Sequence, residues 1–284
     1  MHTVRFSLAA LSATILLAHP AARGAQEDKS MYNLFQPVPD ARLRDFDTDR
    51  PDKTNSPHTL DAGHFQLEMD VLAVALDKQG PVHVENRTWA NANLRIGMLN
   101  WLDLQLLLPI AEENRQHDFA TGAVTKASGP GDFTAALKAN LWGNDGGDTA
   151  GGLALYVKTP TASRSIGNGK TEGNLLFLYQ TALPAQVSLG INAGIGMVVD
   201  DNGRYQAEPS LSFSASRTIT GPLSGYVELF GAAPGHQTKA WIGTLDVGLT
   251  CMIGKNTQID TGVNFGLTPA ADDHDLFFGV SFRY

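Results

Sequence analysis

Apolar and polar side chains alternate with a period of two through most of the chain from residue 65 onwards. In the run 65–75 the odd positions are apolar, and the positions between them include Gln66, Glu68 and Asp70. Because successive side chains of a β-strand point to opposite faces, this spacing predicts strands with one apolar face. No later run is long and apolar enough for a membrane-crossing helix, so any membrane residence must come from a barrel.

Twelve runs of this kind can be counted, although the sixth is apolar on both faces and its phase is ambiguous. They span 65–75, 90–98, 102–110, 133–141, 153–157, 174–181, 187–197, 208–215, 227–229, 245–251, 259–267 and 276–284. Short turns near 99–101, 183–186, 218–223 and 254–257 alternate with long polar links such as 112–129 and 159–173. Outer-membrane barrels alternate short periplasmic turns with longer external loops. The sequence therefore predicts an all-β fold, a twelve-stranded antiparallel transmembrane β-barrel of the outer-membrane type.

The N-terminus has the three parts of a secretory signal peptide. Arg5 precedes an uncharged apolar stretch at 6–18, and small residues follow it. We therefore predict a signal peptide at 1–25, with its cleavage point left open, and location in the bacterial outer membrane. Residues 26–62 are too polar and too rich in proline for strands, and they predict an irregular segment before a barrel at 63–284.

Composition excludes several classes of protein. The chain carries a net charge of −8 and no basic run, so it is a poor nucleic-acid binder. Its single cysteine, Cys251, excludes an intrachain disulfide and a zinc-thiolate site, and we expect no cofactor and no metal. The carboxylates around His274 match no complete cation-binding loop, so a solvated loop is the favoured interpretation there.

Aromatic residues lie at the ends of the predicted strands, which is typical of interfacial girdles in contact with outer-membrane lipid. These are Trp89, Trp101, Trp142, Tyr205, Trp241 and Tyr284. The last strand also resembles the signal by which the barrel-assembly machinery inserts outer-membrane barrels. The residues expected to contact this machinery are Leu276, Phe278, Val280, Phe282 and Tyr284.

Two stretches resemble one known family closely. TDRPDKTNSPHTLDAGHFQLE (48–68) and QIDTGVNFGLTPAADDHDLFFGVSFRY (258–284) resemble the bacterial outer-membrane transporter family named for the meta-pathway of phenol degradation. The resemblance implies an outer-membrane barrel that passes small solutes, with aromatic or phenolic compounds as the leading class. It supplies no catalytic motif.

The period of two places a set of polar residues on the inward face of a narrow lumen. A solvated interior of mutually paired charges explains most of them, and a path with a mild preference for cations is the functional alternative. The candidates are Glu68, Asp70, Arg95, Asp103, Asp132, Lys138, Tyr156, Lys158, Glu208, Tyr226, Glu228, Asp246, Asp260, Asp275 and Arg283. The segment before the first strand is expected to form a partial plug. Its candidate residues are Arg50, Asp52 and Lys53, and a plain periplasmic tail is the alternative.

Two rival functions stay open at this point. One is a non-selective narrow porin, and the other is a barrel enzyme of the lipase or protease type. The sequence predicts that His83, His117, His236 and His274 lie in loops, and that only His64 heads a strand on its inward side. Since no predicted strand carries a central histidine beside a serine, we expect no enzymatic activity.

Overall fold

The computed structural model describes residues 28–200, 202–233 and 241–284. The predicted signal peptide and His236 lie outside these ranges. The regular elements are almost entirely strands. They are β1 (Phe65–Gln79), β2 (Val82–Leu99), β3 (Leu102–Asp118), β4 (Val124–Gly129), β5 (Thr134–Trp142), β6 (Thr149–Lys158), β7 (Glu172–Leu183), β8 (Val187–Val199), β9 (Tyr205–Thr220), β10 (Leu223–Ala232), β11 (Ile242–Met252), β12 (Thr257–Gly266) and β13 (His274–Arg283).

Two single-turn 3₁₀ helices, Asp40–Arg42 and Pro184–Gln186, complete the regular structure. Among the described residues, no helix is long and apolar enough to span a membrane.

The strands form one closed antiparallel sheet. Each pairs with its neighbours in the chain, except that β4 and β5 do not pair with each other. β1 closes the circle by pairing with β13, for example Gln66 with Arg283. β4 and β5 occupy a single position, because both pair with β3, one beyond the other along its length. The fold is therefore a twelve-stranded barrel with one extra short strand, as the alternation predicted.

The strands that begin the barrel are longer than predicted. β1, β2 and β3 contain 15, 18 and 17 residues, and Gly80, with φ of +63°, forms the tight turn between β1 and β2. The predicted loop at 112–129 is wrong, because it contains the end of β3 and all of β4. The reason is physical: beyond the hydrocarbon layer a strand needs no apolar face, while cross-strand hydrogen bonds still hold it.

The same extension corrects the prediction for the histidines. His83 and His117 pair directly across β2 and β3, and His274 begins β13, so the loop predictions for these three were wrong. Trp89 likewise lies inside β2 rather than at a strand end. The other five predicted aromatic residues do lie at or beyond strand ends: Trp101, Trp142, Tyr205, Trp241 and Tyr284.

Exposure alternates along the strands with apolar residues outside. Leu155 is 49% exposed while its neighbour Ala154 is fully buried, and Leu229 is 52% exposed beside the buried Glu228. In the sixth run, whose phase was ambiguous, Phe177 of β7 is exposed and faces outward, whereas Leu178 is buried and faces the lumen. The lumen is consequently lined mostly by polar side chains, and the apolar surface faces outward, as expected for a barrel surrounded by lipid.

Candidate functional site

The lumen is occupied by the chain's own N-terminal segment. Residues 44–62, called the inserted loop here, pass in from the end of the barrel that carries the short turns and the C-terminus, which in this fold is the periplasmic end. The loop contacts inward-facing side chains of strands on all sides of the barrel, and the chain then returns to begin β1. Its proline-bearing backbone has no strand partner, so wall side chains satisfy its polar groups.

A cluster of charges holds the base of the loop at the periplasmic end. Lys29 Nζ lies 3.0 Å from Asp61 Oδ1 and 3.3 Å from Asp145 Oδ1. Arg44 Nε donates to Asp145 at 2.7 Å, and the backbone N–H of Arg44 donates to Asp61 Oδ2 at 2.7 Å. Arg283 of β13 donates to the carbonyl of Arg44 at 2.9 Å. We call Lys29, Arg44, Asp61 and Asp145 the mouth cluster.

Asp145 lies in the periplasmic turn between β5 and β6, and the pKa of its carboxyl group shows the electrostatic effect of the mouth cluster. Partial burial tends to raise the pKa of its carboxyl group, but the hydrogen bond and positive charge of Arg44, together with Asn100 and Lys29, lower that pKa below its ordinary value. The charged form of Asp145 is therefore the one that the folded chain stabilises.

Deeper in the lumen, Asp49 of the loop lies among buried charges of β1, β2 and β5. Lys138 Nζ donates to Asp49 Oδ1, and the N–H of Asp49 donates to Glu68 at 3.0 Å. Arg95 pairs with Glu68 at 3.0 Å and with Asp103 at 2.8 Å. These five residues, the middle cluster, are each at most 9% exposed, so the charges are stable only because they pair with one another.

The tip of the loop carries two further basic residues. Arg50 pairs with Asp70 of β1 and, at 2.7 Å, with Asp260 of β12. Lys53 Nζ lies 2.8 Å from Asp246 Oδ2 of β11.

Uncharged side chains at the tip of the loop also form hydrogen bonds with the wall. Thr54 Oγ1 donates to Glu228 and lies 2.7 Å from Ser212 Oγ, and Asn55 donates to the hydroxyl of Tyr156 at 2.7 Å. Asp52 lies beside Arg50 and Lys53 and lines the cavity above the loop.

Glycines in the wall leave room for the loop. A Cβ atom at Gly279 would overlap the guanidinium of Arg50, and one at Gly190 would lie 2.9 Å from Cγ2 of Thr54. At Gly97 the obstacle would be the loop backbone at Asp61. At Gly152 it would be the carbonyl of Ala139 in β5 at 2.8 Å, with the loop carbonyl of Pro57 at 3.2 Å. The alternation did not reveal these positions, because a glycine on an inward face carries no signal of what packs against it.

The inserted loop divides the lumen. A cavity of about 500 Å³ lies at the periplasmic end, against Arg44, Asp145 and Arg283. On the other side of the loop a cavity of about 370 Å³ is lined by Arg50, Asp70, Tyr156 and Phe277, among others. A smaller cavity of about 180 Å³ lies against Lys53, Glu208 and Phe230.

The inward-facing candidates separate into those at the loop and those away from it. Glu68, Asp70, Arg95, Asp103, Lys138, Tyr156, Glu228, Asp246 and Asp260 contact the loop directly. Tyr226 and Asp275 lie on the inward face, Lys158 pairs with Glu172 at 2.7 Å nearer the outer end, and Arg283 lies at the periplasmic end.

Asp132 pairs with another of the inward-facing candidates, Lys158, whose Nζ lies 3.3 Å from Asp132 Oδ2. It precedes β5 and accepts a hydrogen bond from the N–H of Ala162 in the β6–β7 loop at 2.9 Å. The sequence reasoning missed Arg44, Asp49 and Asp61. Their clustering within a segment that cannot be a strand was the available signal, since charges in such a segment need partners once buried.

A serine, a histidine and an aspartate do meet in the inserted loop. Ser56 Oγ lies 3.2 Å from His58 Nδ1, and Asp47 Oδ2 lies 3.3 Å from that same nitrogen. A catalytic triad needs the serine on one ring nitrogen and the carboxylate on the other. This group therefore lacks the geometry of a nucleophilic centre. Within the described ranges, no group of three or more His, Cys, Asp or Glu residues has the arrangement of a metal site.

A closed antiparallel barrel with apolar side chains outside and charges within defines the chain as a β-barrel of the outer-membrane type. Several solved barrels have a similar fold. An outer membrane channel from Pseudomonas putida F1 has a TM-score of 0.58 at 12% identity, covering 78% of this chain and 95% of that one. The NanC porin gives 0.46 at 10% identity, over 77% and 98%, and the NalP translocator domain of Neisseria meningitidis gives 0.46 at 9%, over 78% and 88%.

The sequence assigns the chain to a family. Residues 48–284 match the family model described as "Putative MetA-pathway of phenol degradation", and the chain belongs to that family. The match begins at Thr48 and so includes the tip of the inserted loop as well as the whole barrel. A search of curated proteins finds no match.

Proposed function

We propose that the chain is an outer-membrane channel for small solutes, exported by its N-terminal signal, in which the inserted loop closes the lumen. The main support for this proposal is that the loop separates a periplasmic cavity of about 500 Å³ from an outer cavity of about 370 Å³. A solute that crosses the barrel must displace the tip of the loop or pass beside it. The P. putida channel, which shares the fold, supports the general class.

Aromatic compounds, phenols included, are the leading solutes. The family's description names phenol degradation. Tyr156 and Phe277 line the outer cavity, beside the amides of Asn91 and Asn264. A ring can pack against these aromatic side chains while the amides satisfy a hydroxyl group. A non-selective pore is the rival, and it predicts permeation that depends on solute size alone.

Two variants test whether the loop is the gate. Deletion of residues 26–55 removes the tip and most of the loop, so conductance in planar bilayers should rise. In the second variant, Thr54→Cys and Gly190→Cys are combined in a Cys251→Ser background. The closeness of residues 54 and 190 favours a disulfide that holds the loop in place.

The locked variant should conduct less than the wild-type chain and recover when a reductant is added. Cys251→Ser alone is the matched control and should behave like the wild-type chain. If the oxidised locked variant conducts normally, the inserted loop is not the gate. If liposomes containing either the wild-type or the deleted chain admit no small solute, the channel function itself is wrong.

A further inference from the structure

Both basic side chains at the tip of the loop occupy the same kind of site. Arg50 pairs with Asp260 and Asp70, and its guanidinium carbon lies 5.8 Å from the ring centroid of Phe277. Lys53 pairs with Asp246 at 2.8 Å, and its ammonium nitrogen lies 5.2 Å from the ring centroid of Phe230. Each cation therefore has a wall carboxylate and a wall aromatic ring.

This combination is the chemistry that recognises organic cations. A carboxylate neutralises the charge, and the face of an aromatic ring attracts ammonium and guanidinium groups through its quadrupole. The wall also supplies Thr244, whose hydroxyl lies 2.9 Å from Lys53 Nζ. The partner carboxylates Asp246 and Asp260 are almost completely buried, so they need a positive charge beside them.

One of these sites holds more negative charge than Lys53 balances. Asp246 Oδ2 accepts from Lys53, and Asp246 lies directly opposite Glu228 of β10, with which its carboxyl group interacts. Two buried carboxyl groups beside one ammonium group would be better satisfied by a cation with more than one N–H directed at the wall. Lys53 fills the site only in part.

We propose that these two wall sites bind small organic cations, with ammonium or guanidinium groups, and that Arg50 and Lys53 occupy them as built-in competitors. The inference rests on the proposed channel function and names the charge class that the channel prefers. A cation that takes the place of either side chain removes an attachment of the tip, so binding of the solute and release of the loop are coupled.

Solutes can reach the rings and the two loop cations without prior movement of the loop, while Asp246 and Asp260 stay buried until Arg50 or Lys53 is displaced. Arg50, Asp70 and Phe277 line the outer cavity of about 370 Å³. Lys53 and Phe230 line the cavity of about 180 Å³ beside it. Competition can therefore begin from the outer side of the closed barrel.

The test uses three solutes of nearly the same size: benzylammonium, benzyl alcohol and benzoate. Their permeation into liposomes containing the full-length chain is compared at equal concentration. Benzylammonium should permeate roughly fivefold or more faster than benzoate, with benzyl alcohol between them, because charged pore walls discriminate by sign. In planar bilayers, benzylammonium on the outer side should also raise the frequency of opening.

The aromatic rings give a variant that leaves the ion pairs of the loop in place. Phe230→Leu should reduce the preference for benzylammonium and leave benzyl alcohol unchanged, because Phe230 lines the smaller cavity and not the outer cavity proposed for neutral aromatic solutes. Phe213→Leu is the matched control, because Phe213 is 42% exposed on the outer surface. Equal loss for all three solutes would mean that the rings only support packing, and it would overturn the proposal.

The remaining outcomes distinguish failure of the cation sites from failure of the proposed channel function. If the three solutes permeate at equal rates, the cation sites are wrong and the channel stands. Faster benzoate would also overturn the sites. If none of the three permeates even after deletion of residues 26–55, the channel function fails instead.

Discussion

Gly279 of β13 lies so close to the guanidinium of Arg50 that a β-carbon at residue 279 would overlap its Nη2 atom. The wall at this point is shaped to accept the tip of the inserted loop. Because Gly279 has no side chain, the wall leaves the space that the long side chain of Arg50 occupies.

Gly279→Ala should therefore displace Arg50 from Asp260 and shift the loop toward withdrawal. Overpacking a tight site costs roughly 1–3 kcal/mol, and this cost should raise the free energy of the closed state without affecting the open state. The measurement is single-channel conductance, with a higher open fraction expected. Gly231→Ala is the matched control, because its new Cβ would meet its nearest neighbour at an ordinary 3.7 Å. An unchanged open fraction in Gly279→Ala would contradict the prediction.

Lys138 and Asp49 should be energetically coupled. Lys138 is fully buried, and its loss leaves Asp49 with a distant ion pair to Arg95 at 3.7 Å and hydrogen bonds from Gln105 and the N–H of Ser56. Removing one partner of a buried ion pair commonly lowers the free energy of unfolding by about 3–5 kcal/mol. Because Asp49 keeps its contact with Arg95, Lys138→Met should lower it by an amount near the lower end of that range. Urea unfolding in lipid measures the change.

The double variant Lys138→Met with Asp49→Asn is the control for that experiment. It leaves no unpaired charge between the two positions, so it should be less destabilised than the sum of the single variants by roughly 0.5–3 kcal/mol. Strict additivity would show that the two side chains do not stabilise each other.

Acid should loosen the base of the inserted loop. The pKa of Asp145 is lowered in the folded chain, so its contribution is fully present above the ordinary carboxyl pKa of about 4 and is lost as pH falls through the lowered folded value. Conductance should rise as the periplasmic side is titrated below about pH 4.

Asp145→Asn provides the comparison. Its conductance should already be raised at neutral pH, and its response to acid should be smaller than that of the parent chain. A parent chain that shows no change down to about pH 2.5 would exclude a role for this carboxylate in holding the loop.

Charge on the outer surface should destabilise the barrel in lipid. Leu104 and Val263 lie on the outward-facing side of β3 and β12, where the inward neighbours Asp103 and Asn264 are buried. Leu104→Arg or Val263→Arg should cost roughly 2–4 kcal/mol if the residue is near the midplane. Unfolding in lipid vesicles checks this.

Thr125→Arg is the control for these variants, since Thr125 is exposed in β4, on the far extension of the sheet. It should change stability little. If Leu104→Arg and Val263→Arg are as stable as Thr125→Arg, the lipid-facing assignment of Leu104 and Val263 is wrong.

The sequence by itself determined the barrel, the positions of its twelve strands and the outward face of most of them. The phase of the sixth run, and the change of phase in β1 at the bulge between Asp70 and Leu72, came from the structure. Lipid requires an apolar exterior, and a period of two is the only way a strand can supply one. The same rule explains where the prediction stopped. The outer parts of β2 and β3 leave the hydrocarbon layer, lose the alternation and were mistaken for loops, His83 and His117 with them.

Only the tertiary structure decided between a plug in the lumen and a periplasmic tail, and only it supplied the wall partners of that segment. The segment around Arg50 and Lys53 has no periodicity, and an inward charge at Asp246 or Asp260 gives no local sign of its partner. Lys53 and Asp246 are 193 residues apart in the chain and meet because the barrel closes. Burial then makes pairing obligatory, since an isolated charge in the lumen would be far more costly than one in water. The pairing is a property of the closed sheet, which no single stretch of sequence contains.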